Sequence, residues 1–119
     1  MDNLRAGSRG GVLDLAHLAH YTGNDPHLQA ELLGLFGEQM SAQLKLLTTG
    51  VTGQDWAIAT HTLKGAARAV GAWSVAAVAE ELEQLDPATQ SDLCAGQLRR
   101  LQSEADACRA AIEQICEAA

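Results

Sequence analysis

The sequence predicts an all-α chain: an antiparallel up-down four-helix bundle with an additional short N-terminal helix. Three observations predict it. Of the 119 residues, 47% are hydrophobic but only 3% are aromatic, so Leu, Ala, Val and Ile must build the core. Ala and Leu cost little to hold in helical geometry, and few residues favour strands. Apolar residues recur at steps of three and four through long stretches, and breaks rich in Gly, Pro and Thr separate them. Helices with one apolar stripe and short connections bury those stripes against one another, which makes a bundle.

Residues 1–10 read as a flexible, polar leader and 11–119 as one bundle domain. A short helix is predicted from Leu13 to His20, with Val12, Leu15 and Leu18 or Ala19 as its apolar side; it would cover one end of the bundle. Tyr21 to Asp25 is a turn. Asp25-Pro26 then opens a long helix, because Asp caps free amides and Pro fits the first helical position. Its stripe is Leu28, Leu32, Leu35, Phe36, Met40, Leu44 and Leu47, broken at Thr48 to Gly53. The third helix opens at Thr52 and Asp55, spaced as a capping box. It runs to Val70 and stops at Gly71, a left-handed cap. Ser74 is the expected cap of a fourth helix with Val75, Val78, Leu82 and Leu85 inward, ended by Asp86-Pro87. A last helix spans Thr89 to Glu117, with Cys94, Leu98, Leu101, Ala105, Cys108, Ile112 and Ile115 as its stripe.

Several function classes lack their physical basis here. The net charge is −7 with a pI near 4.8. There is no basic tract, so binding to nucleic acid has no electrostatic driving term. No apolar run approaches the roughly 20 residues of a membrane span. The N-terminus has no apolar signal core, and Met1 is consistent with a separate protein, so a cytoplasmic location is expected. Cys94, Cys108 and Cys116 are odd in number and lack paired spacing, which fits core or boundary thiols in a reducing compartment. His17, His20 and Asp14 make an incomplete ligand set, so no metal site is expected. His27 follows the Asp-Pro cap as a solvated residue.

The third helix carries the chemistry. On a wheel of about 100° per residue, Trp56, Ala59, Leu63, Ala66 and Val70 fall together as its core face. His61 lies about 160° from Leu63, nearly opposite the core. Ala57, Lys64, Gly65 and Arg68 share its outward side. A mid-helix Gly costs about 1 kcal/mol relative to Ala, and nothing in the core asks for Gly65. It clears space one turn from the imidazole, and Ala57 leaves the other side open. An exposed nucleophilic nitrogen, a cation and a steric opening together suit an incoming phosphoryl group.

The run His61-Thr62-Leu63-Lys64-Gly65-Ala66-Ala67-Arg68-Ala69-Val70-Gly71-Ala72 resembles the signature of histidine phosphotransfer (HPt) domains of two-component phosphorelays. That signature is His, any residue, Leu-Lys-Gly, then a second Gly six residues later. The Asp-Pro-entered helix, the Gly-rich break, the Asp-Trp before the active helix and the Glu-Leu-Glu helix after it are similar too. The resemblance covers Leu13 to Leu85; the last helix matches only in length and pattern.

The resemblance implies a phosphocarrier, not an autonomous kinase, that relays phosphate between His61 and aspartates of response-regulator receiver domains. A sensor or hybrid histidine kinase would lie upstream. His61 would be the phosphorylated nucleophile, Lys64 would offset phosphoryl charge, and Gly65 would let the partner close over the ring. Gly71 would be structural. Glu83 falls where the family often has Gln or Glu bonding the imidazole Nδ1, which would orient the ring; the alternative is a solvated charge. Ala57, Leu35 and Phe36 would border the docking surface, although a core role is the more usual one for Leu35 and Phe36. Arg68 departs from the small residue usual there, and would contact the receiver or be solvated. The chain would need no cofactor of its own; Mg²⁺ would come with the receiver. A monomer is expected, since the motif face must stay accessible. There is no Gly-rich phosphate loop. Two rival readings are a non-catalytic bundle that binds a signalling partner, and a free-standing hydrolase. The latter would need acids, bases or ligands beside His61 beyond Lys64, Arg68 and Glu83.

Overall fold

A computed structural model describes residues 12–118 of the chain; the leader at 1–10 lies outside these described residues. Five helices follow in order: α1 (Leu15–Thr22), α2 (Pro26–Thr48), α3 (Gly53–Val70), α4 (Trp73–Glu83) and α5 (Ser91–Ala118). Among the described residues there is no strand. α2 to α5 form a closed ring, in which α3 packs on α2 and α4, and α5 packs on the same two from the other side. α5, at 28 residues, is about 42 Å long by helical rise. That length sets the 44 Å long axis of the molecule. No helix of the described residues is long and apolar enough to cross a membrane.

α1 begins two residues later than the sequence predicts. Leu13 is drawn into the core, and Asp14 caps the helix by accepting from the His17 amide at 3.1 Å. This rotates Leu15 outward, so Leu13 and Leu18 form the apolar side. α2 starts as predicted: Asp25 accepts from the amides of His27 and Leu28, and Pro26 holds the first position. Its buried stripe is Leu33, Phe36, Met40, Leu44 and Leu47. Leu33 takes the core position that the periodicity assigned to Leu35, while Leu28 and Leu35 face outward.

Two predicted caps do not form. Thr52 precedes α3 but makes no side-chain cap bond. α4 starts before Ser74 can cap it, with Ala72 as the flanking residue. For Ser74 the reason is the tight corner between α3 and α4. Gly71 adopts φ 79°, and the Ala72 amide turns back to the Ala67 carbonyl at 2.8 Å. This left-handed closure satisfies the end of α3 and leads straight into the next helix. α5 buries Cys94, Leu101, Ala105, Cys108 and Ile112, with Leu98 and Ile115 partly covered.

Candidate functional site

The inward face of α3 fixes its rotation. Trp56, Ala59, Thr60, Leu63, Ala67 and Val70 are buried, and Ala66, predicted to be core, is only half-buried. The Thr60 hydroxyl donates back to the carbonyls of Trp56 and Ala57, so a polar side chain is accommodated inside. The Trp56 indole donates to the Leu82 carbonyl at 3.0 Å. Against this packed face His61 points the other way, with 72% of its side chain exposed.

His61 does not stand alone. Its Nδ1 lies 3.1 Å from Glu83 Oε2, at the last residue of α4. Lys64 donates from Nζ to the other carboxylate oxygen of Glu83 at 2.6 Å. The hydrogen bond from Lys64, reinforced by the one from His61, holds the Glu83 carboxyl below the usual carboxylate range against the opposing effect of desolvation. An ionised carboxylate only accepts, so Nδ1 carries the proton and donates. In the neutral ring that tautomer leaves Nε2 with a free lone pair, on a side chain that is largely exposed. Lys64 is only 16% exposed: its charge is engaged with Glu83 and not projected freely beside the imidazole, as the wheel alone suggested. One turn from His61, a Cβ built on Gly65 meets nothing within 4 Å. The steric opening is real and faces solvent.

A family model described as the Hpt domain matches residues 31–118. The chain belongs to the Hpt domain family. Hpt domains are phosphocarriers of two-component phosphorelays, where they work with kinases and receiver domains in histidine phosphotransfer. The match begins inside α2 and runs through α5. It therefore includes the last helix, which the motif resemblance reached only by length and pattern, and leaves α1 outside. No curated protein and no solved structure gives a significant match to the chain.

The remaining candidate residues of this Hpt domain divide by position. A shallow recess beside the imidazole is lined by Gln54, Ala57, Ile58, His61, Thr62 and Glu83. Ala57 thus sits at the site. Leu35 is 58% exposed but belongs to α2 and does not line the recess. Phe36 is 4% exposed and packs in the core. It is corrected from docking residue to core residue, because the rotation that buries Leu33 carries Phe36 inward with it. Arg68 bonds Glu80 of α4 at 3.2 Å, with both side chains about half exposed. Such a pair is worth under about 1 kcal/mol.

Ile58 escaped the sequence reading. It is 56% exposed and joins the His61 recess to a neighbouring one shared with Gln43 and Leu46 of α2. Its signal was available: an apolar residue three positions before His61 and off the core stripe. His17, His20 and Asp14 do not converge. His17 packs edge-on against Tyr21 and Trp73, and Asp14 accepts from the Trp73 indole at 2.9 Å. Among the described residues, no group of three or more His, Cys, Asp or Glu side chains is arranged to hold a metal ion.

Proposed function

We propose that His61 is the residue of this Hpt domain that carries the phosphoryl group. The observation behind the reading is the pairing of an exposed imidazole with a carboxylate on Nδ1. Nε2 attacks the phosphorus of a receiver phosphoaspartate; a P–N bond forms as the P–O bond to the aspartate breaks, and the carboxylate leaves. The imidazole keeps its Nδ1 proton and becomes cationic. Glu83, already ionised, offsets that charge and keeps the ring in its attacking tautomer. Lys64 holds Glu83, and its charge would help offset that of the phosphoryl oxygens. Gly65 and Ala57 leave the approach clear.

The rest of the chemistry belongs to the partner. Phosphoryl transfer depends on in-line positioning and charge neutralisation. The receiver is expected to bring Mg²⁺, which supplies that neutralisation on its side. The domain has no autonomous kinase activity in this reading, and acts as a monomer of one bundle domain spanning 11–119. Ile58 and Leu35 add apolar area for docking. Arg68 exchanges Glu80 for a receiver carboxylate and so helps select the receiver. Three free thiols and an acidic surface suit a cytoplasmic setting.

The test is incubation with a phosphorylated receiver and Mg²⁺. Acid-labile, alkali-stable label is expected on the wild type and none on His61→Gln. A stable complex without transfer would move the reading to a non-catalytic binding module.

A further inference from the structure

Glu83 occupies an exposed-prone position. It is the final residue of α4, where helices fray and the last carbonyls lack partners within the helix. The backbone tightens there, with the Leu85 amide bonding the Leu82 carbonyl at 3.1 Å. That same carbonyl accepts the Trp56 indole N–H at 3.0 Å. Trp56 is almost fully buried, and it stands on the helix that carries His61, five positions before it. Of the side-chain hydrogen bonds between α3 and α4 among the described residues, those of His61, Lys64 and Arg68 end on carboxylates of long, partly exposed chains. The Trp56 bond is buried and ends on backbone.

We infer that Trp56 is a positioning residue: its indole N–H holds the last turn of α4 in the register that sets Glu83 on Nδ1 of His61. Packing alone does not call for the N–H. Phe or Leu fills apolar space without a donor, whereas a buried N–H must find an acceptor. The acceptor it finds adjoins Glu83. A carboxylate on a flexible side chain at a fraying helix end would sample many positions; a backbone anchor one residue away narrows them. Trp56 touches neither phosphorus nor imidazole, and acts through Glu83.

The structural part of this inference is independent of which residue is phosphorylated; its kinetic part rests on the reading of His61 above. The experiment therefore starts with unphosphorylated protein. The chain is labelled with ¹⁵N-histidine, and long-range ¹H–¹⁵N spectra at neutral pH report the tautomer of His61. Two variants are compared with wild type: Trp56→Phe, and a chain carrying β-(3-benzothienyl)alanine at 56, which keeps the indole shape but puts sulfur in place of N–H. Ile112→Ala, in the core of α5, is the control for lost stability. Losing one hydrogen bond's worth of positioning should lower the ratio of Nδ1–H to Nε2–H tautomer about three- to tenfold. The turnover of transfer should fall by a similar factor with KM for the receiver unchanged, and Ile112→Ala should move neither. In a Glu83→Ala background, Trp56→Phe should add nothing to the tautomer shift. A wild-type tautomer ratio in the benzothienyl chain, which also decides the matter if Trp56→Phe fails to fold, would overturn the inference. So would an additional shift in the Glu83→Ala background.

Discussion

Gly65 and Gly71 belong to the same motif, yet their surroundings differ in kind. A Cβ on Gly65 would enter open space at ordinary helical backbone angles. A Cβ on Gly71 would come within 2.9 Å of both the Cβ and the carbonyl oxygen of Asp14, from a backbone at φ 79°. The first glycine leaves open space on the outer face of α3. The second leaves room for this chain's own N-terminal segment, since the Asp14 amide donates to the Gly71 carbonyl at 2.9 Å. Identical residues thus leave an opening within α3 and permit assembly at its C-terminal end. The difference teaches that a glycine's role is read from what its missing side chain would strike.

That contrast can be broken most directly at Gly65. Gly65→Gln should slow transfer from a receiver on the order of a hundredfold, because an ångström of misplacement at the reacting atoms suffices for that. Its stability should stay level or rise by up to about 1 kcal/mol, since a helix former replaces glycine. Rapid-quench transfer kinetics beside urea denaturation check both halves; unchanged transfer would remove the access role. Gly71→Ala should do the opposite. It should lose about 2–4 kcal/mol, from left-handed backbone strain and the clash with Asp14, while the folded fraction transfers within about twofold of wild type.

The surroundings of each glycine also include one carboxylate held below its ordinary range, which gives a smaller test. Lys64 does this to Glu83, and the Trp73 indole, helped by the His17 amide, does it to Asp14. A carboxyl with a lowered folded pKa stabilises fully above its ordinary value and loses that contribution as pH falls through the lowered one. The ordinary values are 4.5 for Glu83 and 3.8 for Asp14. Lys64→Met should therefore let Glu83 titrate at higher pH and leave Asp14 alone, and Trp73→Phe should do the reverse. Carboxyl ¹³C shifts during an acid titration separate the two; joint movement would show that the two carboxylates are coupled. The smallest effect concerns α5. Cys108, pushed up to about 11 by burial, and buried Cys94 should resist a thiol reagent, so that Cys116 alone reacts in the native state and without altering transfer.

Much of this was legible in the residues. His61 could be turned outward because Trp56, Leu63 and Val70 leave one orientation for α3, and the α5 stripe held through Ile112. Asp25-Pro26 announced α2 because its cap is made within four residues. α2 itself was harder: Leu32, Leu33, Leu35 and Phe36 put apolar carbon on several sides, so the pattern could not choose Leu33 over Leu35. The engagement of Lys64 by Glu83, 19 positions away, depends on how two helices meet, and no local spacing encodes that. The Ser74 cap failed because the left-handed Gly71 and the backbone bond from Ala72 to Ala67 settled that corner first.

α1 has a practical consequence for anyone trimming the chain. The family match starts at residue 31, so a minimal fragment cut to that boundary discards the segment seated on Gly71. The cut would strip the Trp73 indole of its acceptor, leave the Gly71 carbonyl unclaimed and uncover the hydrocarbon that Leu13 and Leu18 now shield. Such a shortened piece should be sticky and poorly behaved at high concentration, even though every residue of the phosphotransfer signature would still be in it.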